Sequence, residues 1–412
     1  MNTSYISSTQ LSGYKSIDDV SIEFTPSLNI IIGKNAAGKT NFLNYLNDSL
    51  NFKFEKYNNF NSSYVLKSNE NIFNFSFSKK TVLNFTENFK LKTNSSFKGH
   101  IALNSNELKS DIKINHIDEA HKLSEFLENH NIQLYSKLIR HGIPKNYPII
   151  ETPLNIDLII NGDFSDDFFK LYHSEQIDSS FFKKVLFSLI NEYIINGEYF
   201  NNRLKNKESI DKYIEKVKTD YKQTILSRLH YIQDLKSVLL SYSPIENIRL
   251  NENFLVEIDN QEKNISIKNF YLEFFIDKKW YTFDDLSDGT RRIFYILSEL
   301  FTVDLNGTNN ENKKFQVVMI EEPELGIHPH QLLKLMSYIK ERSKFIQIII
   351  TTHSPLTLDI LEKSELDSIL IAAKVEGKTV LKKLDEVKKE KASLYMDELE
   401  LSNYWINSDL ED

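Results

Sequence analysis

Cysteine is absent from this 412-residue chain, and its absence excludes disulfide bonds, thiolate zinc sites and thiol nucleophiles together. Any metal chemistry must therefore rely on oxygen or imidazole ligands. Long apolar runs are also absent, because no stretch approaches the roughly 18 uninterrupted apolar residues that a membrane helix needs. The first residues, from Met1 to Tyr5, begin neither a signal peptide nor a lipidation motif. We therefore expect a cytoplasmic protein without a membrane partner.

An excess of positive charge is missing as well, since 50 lysines and arginines oppose 58 aspartates and glutamates for a formal net charge of −8. This balance argues against a surface coated with phosphate-binding residues, although an acidic total is compatible with a local basic patch. DNA therefore stays open as a partner but is not indicated. With 41% apolar and 12% aromatic residues, the chain has the composition of a folded protein with two or three domains' worth of core.

The most informative motif is GKNAAGKT at residues 33–40, a complete G-x-x-x-x-G-K-[ST] phosphate loop between an apolar run and a helix-like segment. Its glycines let backbone N–H groups surround phosphates, and the following helix directs the positive end of its dipole at the same anion. An ordinary glycine turn is the alternative, but the strand-loop-helix context favours the phosphate loop. The expected nucleotide contacts are Gly33, Asn35, Gly38, Lys39, Thr40 and Asn41. Lys39 would contact the β- and γ-phosphates, and the Thr40 hydroxyl would ligate Mg²⁺.

A second pattern is the apolar strand at 317–320 that ends in two carboxylates, Glu321 and Glu322. A buried strand of this kind delivers its final residues to the carboxyl edge of a parallel sheet, where α/β proteins bind ligands. In phosphoryl-transfer sites the first such acid holds Mg²⁺ and the second polarises the attacking water. An acidic surface turn would be the favoured interpretation only if no phosphate loop accompanied the pair.

Another apolar strand, at 345–350, is followed by His353, which would then lie at the same sheet edge and contact the γ-phosphate. A purely structural histidine is the alternative. His328 and His330 lie just before a predicted helix. For them a structural role in the loop or in helix capping has as much support as a functional role. Residues 286–290, LSDGT, open a further helix, where Ser287 and Gly289 would present donors to an anion.

Four elements follow one another along the chain: the phosphate loop, LSDGT, the strand with the paired acids and the strand with His353. In this order they resemble the ATP-binding-cassette ATPase superfamily. Within it, the chain is most similar to the branch of RecF, the structural-maintenance-of-chromosomes proteins and the overcoming-lysogenization-defect nucleases. The likeness covers residues 1 to about 50 and 280 to about 375, and is carried by the opening strand pair, the phosphate loop, LSDGT, EEPELGIHP at 321–329 and THSP at 352–355. The resemblance implies an α/β fold, namely an ABC-type P-loop ATPase head with a mixed sheet and an antiparallel β layer.

The resemblance also implies roles for individual residues. Lys39, Glu322 and His353 would act in hydrolysis of ATP, while Thr40 and Glu321 would hold Mg²⁺. Ser287 and Gly289 would close over the ATP of a second subunit, so a homodimer or higher homo-oligomer is expected. Two features depart from the family: Glu321 stands where aspartate is usual, and no glutamine loop can be identified.

Periodicity divides the chain into three parts. Strand-like alternation up to residue 115 and strands alternating with helices over 246–412 are expected to form the two halves of the ATPase core. Residues 116–245 show helical periodicity and are expected to form a helical insert that splits this core.

These features predict a dimerising ATP hydrolase that works as a switch or sensor. Similar stand-alone ATPases occur in bacterial anti-phage systems such as Septu and PARIS, where a separate effector, often a nuclease, does the damage. The alternatives are a DNA repair or chromosome maintenance ATPase, and a nuclease of the overcoming-lysogenization-defect type. The residues after His353 are too few for a nuclease domain of ordinary size, which disfavours the last.

Overall fold

The computed structural model describes residues 4–143 without 69–70, 86–90, 106–108, 117–120 and 131, residues 154–156, and residues 230–407 without 252, 254, 260–263, 269–270 and 306–312. The chain divides into two compact units, Met1–His141 with Val303–Asp412, and Gly142–Thr302. Most of the expected helical insert, residues 157–229, lies outside the described residues.

The first unit contains a six-stranded sheet in the order β18-β17-β3-β16-β15-β8. Its strands are β3 (Leu28–Ile32), β8 (Ile132–Ile139), β15 (Lys313–Glu321), β16 (Gln347–Thr351), β17 (Ile369–Val375) and β18 (Lys378–Lys383). The pairings are parallel apart from the edge pair of β17 with β18. Both β3 and β16 are buried along their whole length, as their isoleucine-rich sequences predict for strands covered on both faces.

A second six-stranded sheet in this unit is antiparallel, in the order β2-β1-β4-β5-β6-β7. Its strands are β1 (Tyr5–Ser12), β2 (Val20–Glu23), β4 (Phe60–Ser68), β5 (Asn71–Phe85), β6 (Leu91–Ser105) and β7 (Lys109–Ile114). Along β5 the buried Phe73, Phe75 and Phe77 alternate with more exposed polar residues, which is the period of a sheet with one covered face. Phe73 meets Phe315 of β15 edge to face, with ring centroids 5.8 Å apart. The two sheets therefore share one core, and the predicted α/β class with an antiparallel layer is confirmed.

Gln347, at the start of β16, links the two sheets by hydrogen bonds. Its Oε1 accepts from the backbone N–H of Ile6 at 2.9 Å, and its Nε2 donates to the carbonyls of Ile6 and Thr25, each at 2.9 Å. The side chain is completely buried. Since a buried amide must find partners for its donors and acceptor, this glutamine fixes β1 against the edge where β16 begins.

Helices in the first unit are α1 (Lys39–Leu50), α2 (His121–Asn129), α5 (Pro329–Ser343), α6 (Glu386–Glu398) and α7 (Leu401–Asn407). Phe42, Leu43 and Leu46 of α1 enter the same core as the aromatic residues of β5. Among the helices that the structure describes, none has the length and apolar character required to cross a membrane.

The described residues of the second unit form two three-stranded sheets and two helices. Its strands are β9 (Leu154–Ile156), β10 (Asn247–Leu250), β11 (Leu255–Asp259), β12 (Asn264–Lys268), β13 (Leu272–Ile276) and β14 (Lys279–Tyr281), and its helices are α3 (His230–Tyr242) and α4 (Asp288–Leu305), whose last residues extend into the first unit. Phe274 of β13 packs edge to face against Phe294 of α4, with centroids 4.8 Å apart. This aromatic contact fixes the position of α4 within its unit.

Two of the described strands, β8 and β9, lie where the periodicity predicts helix. The expected insert begins at residue 116, yet β8 at Ile132–Ile139 pairs in parallel with β15. As the edge strand of its sheet, β8 carries partly exposed polar residues such as Ser136 and Lys137 and lacks the complete burial of β16. Its strand conformation is set by pairing with residues far along the chain, which local periodicity cannot reveal.

Candidate functional site

The site lies where four neighbouring parallel strands of the first unit end. In the register of the sheet, Glu321 of β15 is paired with Thr351 of β16, and Thr351 is paired with Ile31 of β3. On the other side of β15, Ile320 is paired with Ile139 of β8. The phosphate loop, the paired acids and the segment carrying His353 consequently leave the sheet at the same edge, where open α/β sheets bind ligands.

The phosphate loop depends on glycine at both of its ends. Gly33 and Gly38 have φ values of +146° and +100°. A Cβ on Gly38 would lie 2.0 Å from Thr379 Oγ1, and one on Gly33 would lie 2.1 Å from the Ala372 carbonyl oxygen. No other residue type fits at either position without displacing β17 or β18. Gly38 directly precedes α1, so the loop enters the N-terminus of that helix.

Lys39, the first residue of α1, extends its ammonium group back along the loop. Its Nζ donates to the Gly33 carbonyl at 2.6 Å and to the Lys34 carbonyl at 3.3 Å. The same atom lies 2.9 Å from His353 Nε2. Lys39 is buried, so its charge is held within the loop and beside the imidazole rather than in bulk water.

The paired acids occupy different environments. The Glu321 side chain is 4% exposed and accepts hydrogen bonds from the Thr40 hydroxyl and, at 3.0 Å, from His141 Nδ1. Burial alone would raise the pKa of the Glu321 carboxyl, but the hydrogen bonds from Thr40 and His141 more than offset it and hold the pKa below its usual range. Glu322 is 28% exposed, and its Oε1 lies 3.3 Å from His353 Nε2. Water can thus reach Glu322 but hardly Glu321.

A backbone turn separates these two neighbouring side chains. Glu322 has a φ of +45°, in the left-handed region that costs a residue with a Cβ roughly 1–2 kcal/mol. Its N–H donates to the Thr351 carbonyl at 2.8 Å, which holds the turn against β16. Strain of this kind persists where the surrounding structure fixes it, and here it sends consecutive carboxylates to different partners.

Two residues of the site were not predicted from the sequence. His141 follows β8 and contacts Glu321, as described above. Glu324 contacts the segment after β16: its Oε1 accepts from the His353 N–H at 2.7 Å and from the Thr352 hydroxyl at 2.9 Å. The repeated acids of the EEPE sequence were a local signal for Glu324, whereas His141 had no such signal because periodicity did not predict β8 as a strand.

The remaining predicted residues are more dispersed. Asn35 is exposed in the phosphate loop, and Asn41 Nδ2 donates to Ser16 Oγ at 3.2 Å. Ser287 and Gly289 lie in the second unit at the start of α4, where Ser287 Oγ accepts from the Thr290 N–H at 3.2 Å as an N-cap. Their expected role toward a second subunit stays a prediction. His328 is the N-cap residue of α5, as its capping alternative predicts.

The oxygen atoms available at this site fit a nucleotide that is bound together with Mg²⁺. The Thr40 hydroxyl and the Glu321 carboxylate are hydrogen-bonded to one another and are the hard oxygen ligands that Mg²⁺ takes. Across the described part of the chain, three or more His, Asp or Glu side chains never cluster as a metal site. Mg²⁺ is commonly held by one or two protein groups together with substrate phosphates, and Thr40 with Glu321 supplies two such groups.

Among curated proteins, the chain is similar to the Septu protein PtuA of Bacillus mycoides (strain KBAB4), with 26% identity over 153 residues. The alignment covers 33% of this chain and 21% of that protein, so the chain spans about a fifth of the length of this relative. Among solved structures it is similar to an Smc head bound to the C-winged helix domain of ScpA, with 13% identity, a TM-score of 0.46 and coverage of 94% of this chain and 99% of that chain. An Smc head with an extended coiled coil, bound to the C-terminal domain of ScpA derived from Pyrococcus furiosus, gives 16% identity, a TM-score of 0.43 and coverage of 96% and 100%.

The family match extends further along the chain than the similarity to PtuA. Residues 28–359 match the family described as "AAA domain, putative AbiEii toxin, Type IV TA system". The matched range begins at β3, includes the phosphate loop and the paired acids, and ends just after His353. Because it comprises more than half of the chain, this protein belongs to that AAA domain family, and its recognition as a P-loop ATPase is confirmed.

Proposed function

We propose that this protein hydrolyses ATP in a Mg²⁺-dependent reaction at the shared edge of β3, β15 and β16. The observation that carries the proposal is the joint contact of Lys39 with the phosphate-loop carbonyls and His353, and of His353 with Glu322. A cation, an imidazole and a water-accessible carboxylate meet there beside a loop suited to phosphates. Phosphoryl transfer needs that combination of positioning and charge.

Each residue then has a separate role. Lys39 neutralises charge on the β- and γ-phosphates, while Thr40 and Glu321 hold the Mg²⁺, which supplies positive charge to the phosphate oxygens when it is bound. Glu322 acts as the base that orients a water molecule and accepts its proton, since its carboxylate is the more exposed of the pair. His353 donates to the γ-phosphate, and the backbone contact with Glu324 keeps its segment in place.

The reaction requires two copies of the chain. Ser287 is exposed at the start of α4, so its hydroxyl is accessible to the nucleotide of a second subunit. ATP binding would then join two subunits, and hydrolysis would release them. This coupling makes the protein a switch whose state depends on its nucleotide.

The cellular role that we propose is defence against phage. The similarity to the Septu protein PtuA supports it, together with membership of a family whose description names a toxin of a Type IV TA system. In this role the ATPase controls a separate effector protein, such as a nuclease, and DNA is a second candidate ligand. The protein would act by conformational signalling rather than by cutting nucleic acid itself.

ATP binding is tested by comparing two lysines of the same loop. Lys39→Ala should abolish binding of ATP, measured by calorimetry, because the buried ammonium is removed. The matched control is Lys34→Ala, since Lys34 is exposed in the loop and should change affinity only slightly. Equal affinities of both variants and the parent protein would contradict the assignment of the loop.

The requirement for an effector is tested with the purified protein. Linear and supercoiled DNA are incubated with it in Mg²⁺ or Mn²⁺, with and without ATP, and we expect no cleavage. Cleavage that persists through purification and disappears on substitution of acidic residues of this chain would contradict the proposal and favour a nuclease.

A further inference from the structure

His141 lies two residues beyond the end of β8, and its imidazole contacts the most buried acid of the site. Nδ1 is 3.0 Å from Glu321 Oε2. Because an ionised carboxylate only accepts hydrogen bonds, Nδ1 carries the proton in this contact. The two residues are 180 positions apart in the chain and meet because β8 and β15 are neighbours in the parallel sheet. Both belong to the first unit.

At this position a glutamate carboxylate needs more contacts to fix its orientation than an aspartate carboxylate would. The glutamate side chain has one more rotatable bond, so an isolated Glu321 would distribute its carboxylate over more orientations. Three donors restrict it: the Thr40 hydroxyl of α1, the His141 imidazole at 3.0 Å, and the His141 backbone N–H, which makes a longer contact of 3.5 Å to Oε2. A hydrogen bond to a charged acceptor is of the stronger class.

A role in packing explains His141 poorly. Its side chain is 57% exposed, whereas the Glu321 side chain is 4% exposed. Removing an imidazole that is more than half exposed leaves no large cavity and costs little apolar burial. The main consequence of its loss is a freer carboxylate beside Thr40.

We propose that His141 is a positioning residue of the metal site, which holds the Glu321 carboxylate in the orientation that receives a divalent cation together with Thr40. The inference rests on the proposed function, because it requires that Glu321 binds a metal. It assigns to this chain a histidine that acts through a carboxylate, in the way that partners of metal ligands orient those ligands elsewhere. No direct bond between His141 and the metal is required.

The test measures Mn²⁺ as the probe rather than turnover. The full-length protein is mixed with a non-hydrolysable ATP analogue, and free Mn²⁺ is followed by electron paramagnetic resonance. His141→Ala should weaken Mn²⁺ binding about 10- to 100-fold, the usual effect of losing a partner of a metal ligand. Binding of the analogue in EDTA should be unchanged, and so should the melting temperature.

Two further variants separate orientation from bulk structure. His141→Asn keeps a side-chain N–H donor and should restore a substantial part of the Mn²⁺ affinity. His330→Ala removes an exposed histidine at the start of α5 and should bind Mn²⁺ like the parent. Parent-like Mn²⁺ affinity in His141→Ala would overturn the inference while leaving the ATPase proposal intact. Failure of the parent protein to bind Mn²⁺ with the analogue would instead overturn the proposed function itself.

Discussion

The carboxylate of Glu324 and the backbone of His353 are joined by a hydrogen bond of 2.7 Å from the His353 N–H to Glu324 Oε1. The same oxygen accepts from the Thr352 hydroxyl at 2.9 Å. Glu324 belongs to the turn after β15, and His353 belongs to the segment after β16, so this carboxylate ties two strand ends together. Its second oxygen, Oε2, is buried and has no hydrogen-bond partner in the described structure.

Glu324→Ala should lower turnover more than it changes the KM for ATP. The substitution leaves the His353 N–H without its acceptor, which costs about 1–3 kcal/mol for a buried group and frees the imidazole to move away from Glu322. Glu324→Gln retains an acceptor oxygen and should be milder. Steady-state kinetics and urea unfolding of both variants check this, and a kcat of Glu324→Ala equal to that of the parent would count against a positioning role.

Gln347→Leu should destabilise the first unit by about 3 kcal/mol in urea unfolding. Leucine has a comparable size but leaves three hydrogen bonds unmade, those to the N–H and carbonyl of Ile6 and to the Thr25 carbonyl. The matched control is Gln133→Leu on the edge strand β8, where the glutamine is exposed and the change should stay within about 0.5 kcal/mol. Equal stabilities of the two variants would show that Gln347 does not link the sheets.

Gly38→Ala should abolish ATP binding, whereas Gly377→Ala should leave it intact. Both glycines have positive φ values, +100° and +82°. A Cβ on Gly38 would approach Thr379 Oγ1 to 2.0 Å, but one on Gly377 would meet nothing within 4 Å. The control therefore carries only the backbone penalty of roughly 1–2 kcal/mol. Calorimetric titration with ATP measures the difference, and retained affinity in Gly38→Ala would argue against a rigid phosphate loop.

Motifs of contiguous residues were the predictable part of this site. The phosphate loop, the paired acids and His353 follow apolar strands, and a parallel sheet brings the ends of such strands to one edge, where Lys39, Glu322 and His353 are now in contact. His141 could not be predicted in this way, because β8 is an edge strand with mixed polarity and its pairing with β15 is a long-range event.

Glu324 was missed for a different reason. Its sequence neighbourhood was recognised, but its function depends on accepting a backbone N–H, and a backbone group has no signature in the sequence. The same cause applies to the predicted helical insert. β8 falls within the residues expected to be helical, and its strand conformation depends on pairing with the distant β15. Local periodicity thus predicts the central, fully buried strands of a sheet better than its edge strands.

Complementation between two inactive variants should reveal composite sites. Lys39→Ala lacks the loop ammonium, and Ser287→Arg obstructs the start of α4. If each site takes its loop from one subunit and its Ser287 from the other, mixing these variants pairs one intact site with one doubly damaged site. Some ATPase activity should return. No recovery in subunits that are shown to exchange would argue that each chain hydrolyses ATP alone.

We propose that Glu322 activates water while Lys39 holds the nucleotide and Glu321 its Mg²⁺. Single-turnover hydrolysis of bound ATP by Glu322→Gln tests it most directly, because a pre-bound nucleotide removes binding and product release from the rate. We expect Glu322→Gln to bind ATP with the affinity of the parent protein but to hydrolyse it at least about 100-fold more slowly, because a positioned acid-base group is lost. Hydrolysis of the bound ATP at the parent rate would contradict it.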